Sequence, residues 1–133
     1  MGRSLSVLDA SILIALLDET DVGRSVARAA VGKSKQDHEL LIPVTAFSES
    51  IVAPYRRSYQ DGQRAETAFA ALGSVVEVTR DIASRAAQLR AVRQIKLPDA
   101  LILATAMRME ADQILTFDRR WRGVDSRILL LTP

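Results

Sequence analysis

Apolar residues fall along this chain in short runs of two kinds, strand-length runs of four or five and longer helical stripes, and the two kinds alternate. Ser4 to Leu8 reads as a strand, closed by Asp9 before a compact apolar helix from about Ser11 to Leu17. A weakly apolar helical pattern follows from Asp21 to about Ser34, with Gly32 near its end, and "KSKQDHE" then reads as a polar loop. Leu40 to Pro43 is a short buried strand ended by proline. From about Val44 the spacing of Phe47, Ile51 and Val52 predicts a helix that Pro54 should stop or kink. "YRRSYQDG" reads as a basic, partly aromatic turn leading to a second helix from about Gln63 to Leu72, so the two make a helical hairpin. Val75 to Val78 reads as a strand, Arg80 to Lys96 as an amphipathic helix and Leu97 to Glu110 as a more apolar one. Strands from Gln113 to Phe117 and within "SRILLLTP" complete the set. Strands alternating with helices predict an α/β fold: one domain over residues 1–133, a central parallel sheet with helices on both faces and right-handed crossovers.

The stretch "LPDALILATA", Leu97 to Ala106, joins a strong helix start to an almost unbroken apolar run. Pro98 suits the first helical turn, where its fixed φ is pre-organised and its missing N–H has no partner to lose. Apolar residues cover most of the circumference, so the helix should be largely buried. A carboxylate on the opening turn of a buried helix needs a partner, a hydrogen bond or a cation, and Asp99 stands there. Asp9 sits at a strand-to-helix turn, which in a parallel sheet lies at the carboxyl end of the strand, where ligands bind. Either acid could instead serve as a helix cap. Ser11 is placed to aim a hydroxyl toward the same turn as Asp9.

Composition narrows the chemistry. The 133 residues contain no cysteine, which excludes disulfides, thiolate zinc sites and a cysteine nucleophile and suits a cytoplasmic protein. No run is long enough to cross a membrane, and Asp9 interrupts the amino-terminal apolar stretch, so neither signal peptide nor anchor is expected. The net charge of +2 is small, but 15 of the 18 basic residues are arginine, whose planar fork suits phosphate. The single histidine, His38, falls in the expected polar loop and reads as a surface residue.

In such a sheet the carboxyl ends of the strands and the amino ends of the following helices share one edge, so Asp9, Asp99, Asp118 and, a turn further in, Glu49 can converge. Four carboxylates together repel and need a compensating cation. Hard oxygen ligands without histidine or cysteine favour Mg²⁺ or Mn²⁺, whose use is to bind phosphate oxygens and activate water.

The stretches "LDASILIALL", "VTAFSESI", "LPDALILATA" and "ILTFDRRW", in this order over nearly the whole chain, resemble the PIN-domain family, particularly the VapC-type toxin ribonucleases. The resemblance implies a Mg²⁺- or Mn²⁺-dependent endoribonuclease with Asp9 and Asp99 as direct metal ligands. Glu49 and Asp118 would bind directly or through water, and Ser11 and Thr116 would support the acids. It also implies an RNA substrate, a homodimer and a VapB-like antitoxin packed on the helical hairpin. The alternatives are a PIN-type nuclease that is not a toxin and a non-catalytic homologue that binds RNA or protein. "LDAS" lacks the second aspartate of a haloacid-dehalogenase-like motif, and no glycine-rich phosphate loop is present.

Overall fold

A computed structural model describes residues 3–133; the first two residues of the amino-terminal stretch read for a targeting signal lie outside it. In chain order the elements are β1 (Ser4–Leu8), α1 (Ala10–Leu17), α2 (Arg24–Asp37), β2 (His38–Pro43), α3 (Val44–Arg57), α4 (Tyr59–Leu72), β3 (Ser74–Val76), α5 (Arg80–Val92), α6 (Leu97–Arg108), β4 (Gln113–Thr116) and β5 (Ile128–Leu130). The five strands form one parallel sheet in the order β3-β2-β1-β4-β5, with Ser6 opposite both Leu40 and Gln113. The α/β architecture with a parallel sheet is the expected one. From β1 the chain winds outward to β3 and returns to build β4 and β5 on the other side. Right-handed crossovers then carry the connections to opposite faces, and the crevice between the carboxyl ends of β1 and β4 is the switch point of the sheet.

Burial follows the apolar runs. Val7, Leu8, Ile42, Ile114 and Leu115 are fully buried in the three central strands, and Ile12, Leu13, Ile102 and Leu103 bring α1 and α6 into the same core. At roughly 1.5–3 kcal/mol for each fully buried aliphatic side chain, these positions dominate the driving force for folding. No helix is long and apolar enough to cross a membrane.

Several expected boundaries move. The polar loop "KSKQDHE" does not form: α2 begins at Arg24, not Asp21, and runs through Gly32 to Asp37, and β2 starts at once with His38. Burial of Ala27, Val31 and Ser34 carries the helix across its polar end. His38 is half-buried, with Nδ1 2.8 Å from the Ser6 hydroxyl, and not a loop residue on the surface. Pro54 neither stops nor visibly shortens its helix; α3 continues to Arg57, and the buried proline packs where α3 meets α4. Only Ser58 separates the two helices, its hydroxyl accepting from the Asp61 N–H as a cap, so the expected basic turn is helical on both sides. Gly62 permits that close packing, since a Cβ there would overlap the Tyr55 ring. The third strand ends at Val76, α5 stops at Val92 rather than Lys96, and α6 stops at Arg108 rather than Glu110, which takes a left-handed conformation with φ 54°. β4 ends one residue early, at Thr116.

Candidate active site

The site begins with the end of β1. Asp9 continues the strand pairing, its N–H donating to the Leu115 carbonyl at 3.1 Å, while its own carbonyl accepts the first helical N–H groups of α1. It occupies the cap position of α1, yet its side chain caps nothing. The carboxylate is 5% exposed as a residue and turns instead toward two hydroxyls, with Oδ2 accepting from Ser11 at 2.8 Å and from Thr116 at 2.7 Å. Each hydroxyl is oriented from behind: Ser11 Oγ accepts the Phe117 N–H at 3.1 Å, and Thr116 Oγ1 accepts the Asp118 N–H at 3.0 Å. A hydroxyl has one proton to give, so accepting a backbone N–H directs that proton to Asp9. Oδ1 has no hydrogen-bond partner among the described residues.

Asp99 lies in the first turn of α6, where Lys96 is the cap residue and no side chain caps. Burial, and next the charge of Asp9, hold its carboxyl above the usual aspartate range, against the opposing pull of Arg120 and Lys96. Glu49, two turns into α3, is exposed at its outer side but partly desolvated. That desolvation, followed by the charges of Asp9 and Asp99, raises its pKa as well. Three acids from three different elements thus act on one another at the switch point.

Asp118 is differently employed. It caps the short 3₁₀ turn Arg119–Trp121 through the Arg120 N–H, and its two oxygens accept from the Arg120 guanidinium, the shortest contact being 2.6 Å. That hydrogen bonding holds its pKa below the usual range. The same guanidinium reaches Asp99 at 3.8 Å, so Arg120 stands between the two acids. Sequence reading passed over Arg120; its position two residues after Asp118, inside the next turn, was the available signal.

Among the described residues no three histidine or acidic side chains are grouped tightly enough to form a ready metal cage. The donor set nonetheless fits a hard divalent cation in kind: Asp9, Glu49 and Asp99 offer carboxylate oxygens only, and burial, followed by the charge of neighbouring acids, raises the pKa of Glu49 and Asp99. The cluster is open, with Asp118 committed to an arginine.

A family model described as the PIN domain matches residues 6–126, which takes in Asp9, Glu49, Asp99 and Asp118. The chain belongs to the PIN-domain family. Solved PIN-like structures align along almost its entire length. A chain of a toxin–antitoxin complex from Klebsiella pneumoniae is 27% identical, with a TM-score of 0.78 over 93% of this chain and 95% of that one. Mycobacterium tuberculosis VapC20, a toxin that cleaves the sarcin–ricin loop, is 16% identical with a TM-score of 0.76, covering 96% and 99%. VapBC2 from Rickettsia felis, bound to a DNA fragment from its promoter, is 12% identical with a TM-score of 0.77, covering 96% and 97%. At those identities the last two share the fold of this PIN domain and no more. A comparison with curated proteins gives no match.

Proposed function

We propose that this PIN domain, taken as residues 1–133, is a Mg²⁺- or Mn²⁺-dependent endoribonuclease of the cytoplasm and the toxin of a VapBC-like pair. The observation that carries the reading is the convergence of Asp9, Glu49 and Asp99 from three elements at the switch point of a parallel sheet, where burial and then the neighbouring carboxylates push Glu49 and Asp99 toward protonation. Carboxylates that are pushed toward protonation cost stability when ionised, and a protein keeps them where a cation and a phosphate are to be handled.

In this reading Asp9 and Asp99 hold the metal directly, with Glu49 and Asp118 contributing directly or through water. The ion supplies positive charge against phosphate oxygens and makes water a better nucleophile near neutral pH. Ser11 and Thr116 fix the Asp9 carboxylate so that Oδ1 faces its task without rotating. With Asp9 and Asp99 engaged by the metal, Glu49, its pKa raised by burial, would be left to accept the proton of the attacking water. Arg120, on an exposed turn, would exchange an aspartate for the phosphate it resembles in charge and shape.

The partner half of the proposal is a VapB-like antitoxin seated on the hairpin of α3 and α4, and a homodimer of the PIN domain; its support is the likeness to the Klebsiella toxin–antitoxin complex. Purified protein incubated with structured RNA and Mn²⁺ should give discrete products that EDTA prevents, and Asp99→Asn should abolish them with the fold intact. Equal cleavage by Asp99→Asn overturns the assignment. Strong induction of the soluble protein alone should arrest growth; unimpaired growth with cleavage in vitro points to a nuclease that is not a toxin, and no cleavage at all to a non-catalytic homologue.

A further inference from the structure

Beside Asp99 the surface opens into a pocket of about 250 Å³, smaller than a drug-sized site and on the scale of a single ring system. Ile95, Val124 and Trp121 give it apolar walls, Gln94 adds an amide, and Lys96 and Arg120 stand where it meets the acids. Its walls are held from α5: the Arg90 side chain donates to the Ile95 carbonyl at 3.0 Å, and the Arg93 guanidinium donates to the Val124 carbonyl. Trp121 is 3% exposed, and its indole N–H has no hydrogen-bond partner among the described residues. A buried donor left without an acceptor is unusual in a folded protein and calls for an explanation.

We propose that this pocket receives the base of a nucleotide flanking the cleaved bond, with the adjoining phosphate at Lys96 and Arg120. The assignment to substrate rests on the nuclease reading above. The chemistry matches part by part. An apolar lining of Ile95, Val124 and the little that Trp121 exposes suits an unstacked base of single-stranded RNA, which is commonly read by apolar contact and by hydrogen bonds to its edges. The Gln94 amide can both donate and accept along such an edge. Two cations at the mouth suit the phosphate, and Asp99 lies at the boundary, so a nucleotide seated here presents its phosphate to the acids. The site is therefore a specificity element for the base beside the scissile bond.

Trp121 is the sole tryptophan of the chain, so its fluorescence reads the pocket directly. The full-length protein in EDTA is titrated with AMP, CMP, GMP and UMP, and with ribose 5-phosphate as the sugar phosphate without a base. A saturable change is expected with at least one nucleotide and none with ribose 5-phosphate over the same range. Val124→Phe, which fills the pocket, should remove the response. Lys96→Ala, an exposed position that folding does not depend on, should weaken it about tenfold, the loss of one charge-assisted contact. Asp99→Asn, which removes a negative charge beside the phosphate, should bind at least as tightly as the parent while losing cleavage. A flat titration with all four nucleotides, or an equal response to ribose 5-phosphate, overturns the proposal. Cleavage by the parent with a flat titration removes the base pocket and leaves the nuclease; a saturating titration without cleavage removes the nuclease and leaves a nucleotide site.

Discussion

The two ends of the sheet solve opposite problems. At the amino end Ser6, His38, Gln113 and Ser34 form a neutral network, in which the Gln113 amide donates to Ser6 at 2.8 Å and to Ser34 at 3.1 Å while His38 shares the Ser6 hydroxyl. Each of these four side chains has a neutral partner from another element. At the carboxyl end Asp9, Glu49 and Asp99 oppose one another; two hydroxyls hold one oxygen of Asp9, and among these acids only Asp118 has a cation on both of its oxygens. Saturated polar groups stitch β1, β2, β4 and α2 together; unsaturated charged ones leave a site able to respond to something from outside. The same backbone serves both, because the parallel arrangement sends all carboxyl ends to one edge.

Substitutions at the two ends should therefore separate cleanly. The largest effect is expected on catalysis: Asp99→Asn or Asp9→Asn should lower metal-dependent RNA cleavage by at least on the order of a hundredfold, while Gln113→Leu leaves the rate of folded protein unchanged. Cleavage assays normalised to folded protein check this. Next is the response to metal. Mn²⁺ at 100 times its Kd should stabilise the parent by about 2.7 kcal/mol, a rise in melting temperature on the order of 5–10 °C, and the Asp99→Asn variant much less. Equal shifts in both, at matched ionic strength, would mean that the acids do not share an ion.

At the amino end Gln113→Leu should cost roughly 1–3 kcal/mol by stranding the Ser6 and Ser34 hydroxyls, read as a lower denaturation midpoint with an unchanged slope. The smallest effect runs the other way. In EDTA at neutral pH, Asp99→Asn should raise the melting temperature by about 2–4 °C, discounted for the solvent that screens a partly exposed group. The sign follows from the raised pKa values of Asp99 and Glu49: their contribution is fully present below the ordinary values of 3.8 and 4.5 and is lost as pH rises through the higher folded values. Asp118, with its lowered pKa, contributes in the opposite sense, stabilising above 3.8 and ceasing to do so as pH falls through its folded value. The gap between variant and parent should thus close in acid and open toward neutrality. A gap independent of pH would mean that Asp99 acts through packing.

The order of elements and the edge that collects the acids could be read from the sequence, because periodicity and the strand-end rule are local signals. Asp9 and Asp99 announced themselves as carboxylates too close to apolar runs to be left without partners. What could not be read was set by tertiary contact. Burial of Ala27, Val31 and Ser34 extends α2 through a segment whose composition reads as loop, and packing against α4 keeps Pro54 inside α3. The ion pair of Arg120 with Asp118 depends on a 3₁₀ turn too short to carry a periodic signal. His38 gave no local sign that Ser6 would be its neighbour.

The hydroxyl that orients Asp9 comes from Thr116, 107 residues further along the chain, and the strand that bears it must slide in beside β1 before the pair can meet. On a ribosome adding about 5–20 residues per second, that separation amounts to roughly 5–20 s during which the first aspartate exists without its setting. On the nuclease reading proposed above, a chain that ends before β4 lacks the strand that seats Thr116 beside Asp9, and it should not cleave RNA. The setting of Asp9 is thus completed only when the last strands have emerged.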